Sequence, residues 1–221
     1  MPNATFVGKV CFVNQLMFPA SLYPGVNVPA DVPNYDAIPK SLAEIATISA
    51  ERNRRYNYHP GISAGLGIAA GFTRSDLTVR FENLGRQWQC DERRNWVFMG
   101  GTINLELTLG IYADERASGS SCWGMILEHE LLHVRDEMDI VKNFLPTTLN
   151  QSALIRGFLN QPTPDSSFNR DIRGSGDGSG SVFEQRIQSA IWILESSRRA
   201  SRLHQQRPGD TTAIGNCLEA L

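Results

Sequence analysis

The feature that most constrains the fold of this chain is the stretch of residues 121–144, in which apolar side chains recur at helical spacing. The stretch contains no proline, and its one glycine, Gly124, lies near the start. When each residue is turned by about 100° from the last, four charged residues fall on one narrow stripe. They are Glu128, Arg135, Asp139 and Lys142. Since nearly all the other side chains are apolar, we predict one long helix with a single solvent-facing stripe.

The apolar side of this helix carries the sequence HELLH at residues 129–133. Two histidines four residues apart lie on one face of a helix, about 6 Å apart along its axis, so both imidazoles can reach one metal ion. Glu130 is the next residue after His129, so its side chain leaves the helix in a neighbouring direction. A carboxylate there can hold a metal-bound water. Two histidines in a core are costly unless their nitrogens are satisfied. The placement therefore favours a metal site at His129 and His133 over two hydrogen-bonded core histidines.

Two further carboxylates, Asp136 and Glu137, lie on or beside the histidine face and not on the solvent stripe. A carboxylate one turn beyond a ligating histidine can accept the N–H that faces away from the metal, which fixes the tautomer of the ring. The alternatives are a third metal ligand and an ordinary ion pair. Direct ligation is disfavoured, because an unbroken helix carries both side chains away from the point where the imidazoles converge.

Through HELLHVRD at residues 129–136, the chain resembles the zincin superfamily of metallopeptidases, and in particular small bacterial secreted zinc-dependent peptidases. The resemblance extends from about residue 102 to about residue 202, and only the five-residue motif is specific. The glycine and third histidine that follow the motif in metzincins are missing, as is the Gly-Thr-x-Asp string of the aspartate-ligand branch. The gluzincin branch remains. It implies one Zn²⁺ ion, Glu130 as general base, and a glutamate ligand on a second helix.

Glu184 is the predicted third ligand, because it lies near the start of a second amphipathic stretch at residues 181–202. It sits at the edge of the apolar face, beside Ile187 and Ile191, where a carboxylate can face a cleft. The alternative is a carboxylate that only stabilises the positive end of the helix dipole. Glu195, on the same edge three turns later, is the second choice. Asp136, Glu137, Asp171 and Asp177 follow.

The resemblance implies two more parts of the site. Zincins usually add a tyrosine, histidine or arginine that stabilises the oxyanion, and the candidates in this sequence are Tyr112, His59 and His204. Zincins also bind the peptide substrate along an edge strand that precedes the motif helix. Residues 102–110 are the candidate for that strand, and an ordinary core strand fits their pattern equally well.

Hydrophobic patterning predicts an α+β fold. The resemblance implies that this fold is zincin-like, with a small mixed sheet packed on the long motif helix and a mostly helical C-terminal part. Strands are expected at residues 7–12, 77–81, 96–99 and 103–109, and a helix is expected at residues 40–55. The chain is expected to turn at Pro146. We predict a single catalytic domain over residues 1–221. Residues 1–145 would form the sheet and motif helix, and residues 146–221 the helical part.

Composition narrows the classes of function. The chain has 221 residues, 41% of them hydrophobic, and a net charge of −2. This charge gives no general attraction to nucleic acid or to anionic membranes. No apolar run approaches the roughly 20 residues needed to cross a bilayer, and the first residues do not resemble a signal peptide. We expect a protein that stays in the cytoplasm, leaves by a leaderless secretion route, or has a leader outside this sequence.

The four cysteines are Cys11, Cys90, Cys122 and Cys217, and their spacing does not match a cysteine-based zinc site. One or two disulfides would suit an oxidising compartment. Buried free thiols fit the sequence equally well.

Three functions are compatible with these observations. The first is a zinc-dependent peptidase acting on proteins or peptides, in which a zinc-activated water attacks an amide carbonyl and Glu130 moves the proton. The second is a zinc amidase or endopeptidase that cuts peptidoglycan as an antibacterial effector, with a cognate inhibitor or immunity protein as its expected partner. The third is a non-enzymatic protein whose zinc only holds the fold, which a closed site of four protein ligands would indicate.

Overall fold

The molecule combines a mixed β-sheet with helices that pack against it. The computed structural model describes residues 8–17, 21–25, 37–55, 70–82, 88–90, 95–98, 100–152, 163–164, 182–203 and 208–221. The strands are β1 (Gly8–Met17), β2 (Ser21–Gly25), β3 (Ile38–Lys40), β4 (Gly71–Glu82), β5 (Trp88–Cys90), β6 (Asn95–Phe98), β7 (Gly100–Asp114) and β8 (Thr163–Pro164). The α-helices are α1 (Leu42–Arg55), α2 (Ser121–Asp139), α3 (Leu145–Gln151), α4 (Val182–Leu203) and α5 (Pro208–Glu219).

The larger sheet has five strands and is built around β7. β1 pairs antiparallel with residues 100–109 of β7, and β4 pairs antiparallel with residues 102–113 on the other edge. β3 pairs parallel with residues 112–114, and β2 extends the sheet beyond β1. β5, β6 and β8 form a separate antiparallel sheet. Within the ranges described above, β4 has no strand on its second edge.

β7 is the central strand, since residues 102–109 pair with β1 and β4 at once. Its odd-numbered residues from Ile103 to Ala113 are at most 1% exposed, because alternate side chains of a strand point to one face. The strand predicted at residues 103–109 is confirmed. The prediction of an edge strand at residues 102–110 is wrong, and the alternative of a core strand is correct.

The motif helix begins where the sequence predicts. The side-chain oxygen of Ser120 accepts the backbone N–H of Cys122 at 3.2 Å, which caps the first turn of α2. α-Helical pairing ends at Asp139, and Ile140–Phe144 form one π-helical turn that leads into α3. The predicted turn at Pro146 is wrong, because this proline lies in the first turn of α3, where its missing N–H costs little.

The core lies between the larger sheet and α2. α2 packs against β4 and β7 on one side and against α4 and α5 on the others. Ile126 and Val134 of α2 and Ile187 and Ile191 of α4 are at most 1% exposed. These side chains extend the apolar layer that the odd-numbered residues of β7 begin.

The α+β class is confirmed. The helices predicted at residues 40–55 and 181–202 appear as α1 and α4, and the four predicted strands appear as β1, β4, β6 and β7. In the described part of residues 146–221, the chain is mainly helical, with β8 as a short strand. None of the described helices combines the length and the apolar character needed to span a membrane. The single-domain organisation stays a prediction.

A disulfide joins Cys122, in the first turn of α2, to Cys217 of α5, with 5.8 Å between their Cα atoms. Cys122 is 1% exposed, and Ile214 of α5 packs into the same core. For these two cysteines, the free-thiol alternative is therefore wrong. Cys11 and Cys90 have side chains outside the described part of the structure.

We expect the double substitution Cys122→Ala and Cys217→Ala to lower the free energy of unfolding by about 2–4 kcal/mol, because a loop of 95 residues is then no longer closed in the unfolded chain. Urea unfolding with and without a thiol reductant measures this loss. The natural sequence should lose similar stability on reduction, whereas the double variant should be insensitive to the reductant. Equal stability of the natural sequence in both conditions would contradict the disulfide.

Candidate metal site

The two histidines of the motif converge on one point. Nε2 of His129 and Nε2 of His133 lie 3.3 Å apart, and the two rings meet edge to face at 78°. One ligand atom from each of His129, Glu130 and His133 can be chosen so that all three lie within 4.8 Å of one another. Both imidazoles are half-buried, so solvent can reach them. This group can hold a metal ion, as the motif predicts.

The protonation state of His133 suits a metal ligand. Burial and the neighbouring His129 lower the pKa of His133 to about 4. The negative charge of Asp136 opposes this shift in pKa, and the positive charge of Arg52 adds to it. His133 is therefore neutral at neutral pH, and the neutral imidazole is the form that binds a metal.

Glu130 is held against the sheet by Thr73 of β4. The hydroxyl Oγ1 of Thr73 donates to Glu130 Oε2 at 2.7 Å and lies 3.0 Å from the backbone oxygen of the same residue. Only 4% of Glu130 is exposed. Burial raises the pKa of Glu130 to about 7, and the hydrogen bond from Thr73 acts in the opposite direction.

Gly71 of β4 makes room for this carboxylate. A Cβ at position 71 would lie 2.7 Å from Glu130 Oε1 and 2.7 Å from Ile126 Cγ2, which is closer than side chains pack. Gly71 and Thr73 are two residues apart and therefore point to the same face of the strand. The pair forms a seat for Glu130, in which Gly71 allows the close approach of β4 and Thr73 supplies the donor.

The structure does not bring the predicted third ligand to the histidines. Glu184 lies in the first turn of α4, and Glu195 is fully buried farther along this helix. Among the described residues, the group of converging ligand atoms contains His129, Glu130 and His133 and neither of these glutamates. Two other candidates, Asp171 and Asp177, lie outside the described residues.

The two carboxylates that follow the motif differ in their surroundings. Glu137 is buried, and its Oε2 lies 2.5 Å from Nη2 of Arg199, while its Oε1 lies 3.8 Å from Nη2 of Arg52. Of the three roles considered for Glu137, the ion pair is the one observed. Burial and the neighbouring Glu195 act to raise the pKa of Glu137, and the positive charge of Arg52 opposes this shift. Asp136 is half-buried and acts electrostatically on His133, and its role beside a metal ligand stays a prediction.

Tyr112 lies on the face of the sheet away from Glu130. Ala113 and Ile111 of β7 pair with Gly71 and Thr73, so these residues share the face that contacts α2. Side chains alternate along a strand, and Tyr112 therefore points to the other face. The structure does not bring this tyrosine to the histidines. His59 and His204, the other oxyanion candidates, lie outside the described residues.

Sequence reasoning missed Gly71, Thr73 and Arg52. The available signal for the first two was a glycine two residues before a threonine at the start of an alternating strand, which is typical of a strand that approaches another element closely. No local pattern links this strand to the motif helix. Arg52 lies in a cluster of basic residues that suits a solvated helix end, and only the packing of α1 shows that it is buried.

Comparison with known proteins adds no relative to these observations, since no family model, no curated protein and no solved structure matches the chain.

Gly71→Ala should destabilise the protein by about 1–3 kcal/mol, because the new methyl group would displace Glu130 or Ile126 from a close-packed contact. Gly124→Ala is the matched control, since a Cβ at this exposed helical position meets nothing within 4 Å. The control should be neutral or more stable by up to about 1 kcal/mol. Urea unfolding measures the free energy of unfolding of both variants. If the two variants are equally stable, the close approach of β4 to α2 at Gly71 is contradicted.

Thr73→Val should lower the free energy of unfolding by about 1–3 kcal/mol, because it keeps the shape of the side chain but removes the donor to a buried carboxylate. Thr73→Ser keeps the hydroxyl and loses one methyl group, so it should lose less stability, about 1 kcal/mol. Thermal or urea unfolding of the metal-free protein measures both. If the serine variant is as unstable as the valine variant, the hydrogen bond is not what holds Glu130.

Proposed function

We propose that the protein is a zinc-dependent metallopeptidase whose metal is held by His129 and His133. The observation that carries the proposal is the 3.3 Å separation of their Nε2 atoms. Two nitrogens bound to a tetrahedral zinc at about 2.0–2.1 Å lie about 3.3–3.4 Å apart. A carboxylate oxygen of Glu130 lies within 4.8 Å of a ring nitrogen of each histidine, as the motif chemistry requires.

The donor set fits zinc. Imidazole nitrogen and carboxylate oxygen are common zinc ligands, and the half-buried rings leave a path for solvent. Zinc in this site would lower the pKa of a bound water toward about 7 and polarise a carbonyl oxygen. With Glu130 kept as the base, the protein ligands among the described residues would be His129 and His133, so a four-coordinate zinc would keep room for solvent, which favours a catalytic role over a structural one.

Glu130 acts as the general base in this proposal. Thr73 occupies Oε2, which leaves Oε1, the oxygen beside Gly71, to accept a proton from the attacking water. The same carboxyl then returns the proton to the nitrogen of the leaving amine. Since Thr73 and Gly71 restrict the position of this carboxylate, the base needs little reorganisation between the two transfers.

The second edge of β4, which pairs with no described strand, supports a peptide as the substrate. β4 carries the seat for Glu130 and pairs with β7 on one edge only, within the part of the chain that the structure describes. An extended peptide can pair with such an edge and place an amide bond beside the base. In this proposal the peptide substrate therefore binds along the edge of β4, and not along the central strand β7.

Glu130→Gln tests the mechanism. We expect this variant to keep its zinc, because both histidines remain, and to lose hydrolysis by at least about 100-fold, because the base is removed. His133→Ala is the control that should lose the zinc itself. Metal analysis of the purified proteins and hydrolysis assays measure the two effects. Full hydrolytic activity in Glu130→Gln would reject the mechanism.

The assay uses casein and peptidoglycan sacculi, each with and without a metal chelator. Hydrolysis of casein that the chelator abolishes supports a peptidase acting on proteins. Chelator-sensitive release of fragments from sacculi alone assigns the same chemistry to peptidoglycan. Hydrolysis that is insensitive to the chelator contradicts a metal-dependent reaction.

A further inference from the structure

Four charged side chains that the proposed reaction does not use are buried together beside the metal site. They are Arg52, Glu137, Glu195 and Arg199, and each is at most 9% exposed. A buried charge is costly unless it is paired and hydrogen-bonded. The group contains two positive and two negative side chains, so its charges can compensate one another.

Glu137 lies at the centre of this network. Its Oε2 accepts a hydrogen bond from Nη2 of Arg199 at 2.5 Å, and its Oε1 lies 3.8 Å from Nη2 of Arg52. Arg52 in turn donates to Ser75 of β4, with 2.7 Å to the hydroxyl oxygen and 3.3 Å to the backbone oxygen. Arg199 also pairs with Glu195, one turn earlier on α4.

The network therefore joins α2 to three other elements. Arg52 comes from α1, Ser75 from β4, and Glu195 and Arg199 from α4. α2 contributes Glu137 to this network, and its carboxylate contacts the arginines of both α1 and α4. An error in the rotation of α2 would break two buried ion pairs at once.

Glu137 also continues the histidine face of α2. His129, His133 and Glu137 follow one another at intervals of four residues, and on a helix of about 100° per residue they span an arc of roughly 80°. Apolar packing is non-directional, so it restricts the rotation of a helix about its axis only weakly. Ion pairs of Glu137 with arginines on two other helices restrict this rotation more strongly, because hydrogen bonds to charged groups depend on direction.

We infer that Glu137 is a positioning residue, which fixes the rotation of α2 through Arg52 and Arg199 and thereby holds His129 and His133 in the geometry that binds a metal. The inference rests on the proposed metal site and adds a role for residues that do not contact the metal. Glu137 acts through the helix backbone, one turn beyond His133.

Glu137→Gln is the first test, because it keeps the size of the side chain and removes its charge. We expect zinc affinity to fall by about 10-fold, as measured by competition with a chromophoric chelator on the full chain. The absorption spectrum of bound Co²⁺ should also change, since it reports the arrangement of ligands around the ion. Unfolding in urea without metal measures the loss of stability separately.

Glu195→Gln is the matched control. It removes a buried carboxylate from the same network but leaves the contacts of Glu137 with both arginines in place. We expect a comparable loss of stability with less than a threefold change in zinc affinity and an unchanged Co²⁺ spectrum. If the two variants lose zinc affinity equally, or Glu195→Gln loses more, the network acts through stability or through Glu195 as a ligand, and the inference fails.

Glu137→Asp keeps the test decisive if Glu137→Gln does not fold. This variant retains the charge, but its side chain is shorter by one methylene group. The contact with Arg199 at 2.5 Å is therefore lost. A folded Glu137→Asp with the zinc affinity and Co²⁺ spectrum of the natural sequence overturns the inference while leaving the proposed function intact. If the natural sequence itself binds no zinc, the proposed function fails and the inference fails with it.

Discussion

The close approach of strand β4 to helix α2 at Gly71 is the contact on which the geometry of the site depends. The missing side chain lets the strand lie against Ile126 and Glu130, and this brings the hydroxyl of Thr73 within 2.7 Å of the carboxylate. Glu130 is therefore turned toward the sheet and fixed there, while the two imidazoles converge beside it. The sheet is in this way part of the site, although the motif lies wholly on the helix.

Polar contacts succeed one another along one face of α2. The first layer is the histidine pair with Glu130, and the second, one turn later, is Glu137 with its two arginines. Apolar residues such as Val134 and Ile126 fill the space between helix and sheet. Burial supplies most of the free energy of packing, whereas the ion pairs of Glu137 add contacts that depend on direction.

The sequence predicts those features that depend on nearby residues. The histidines converge because a spacing of four residues brings side chains together on any helix. The strand β7 is predicted because buried apolar residues alternate with others along its sequence. Ser120 marks the start of α2 for the same local reason. Features that depend on distant partners were not predictable: Arg52 and Arg199 reach Glu137 from α1 and α4, and the centre of the sheet is not distinguishable from its edge by alternation alone. The turn predicted at Pro146 is wrong because a π-helical turn precedes this proline and a new helix begins there.

The disulfide between Cys122 and Cys217 encloses most of the residues discussed, including both histidines, Glu137 and Arg199. A cut in the backbone anywhere between the two cysteines would leave the two products covalently joined. Nicking by a protease would therefore not release α5 from the helix that carries the histidines. Such a nicked form would migrate as one species until the sulfur–sulfur bond is reduced.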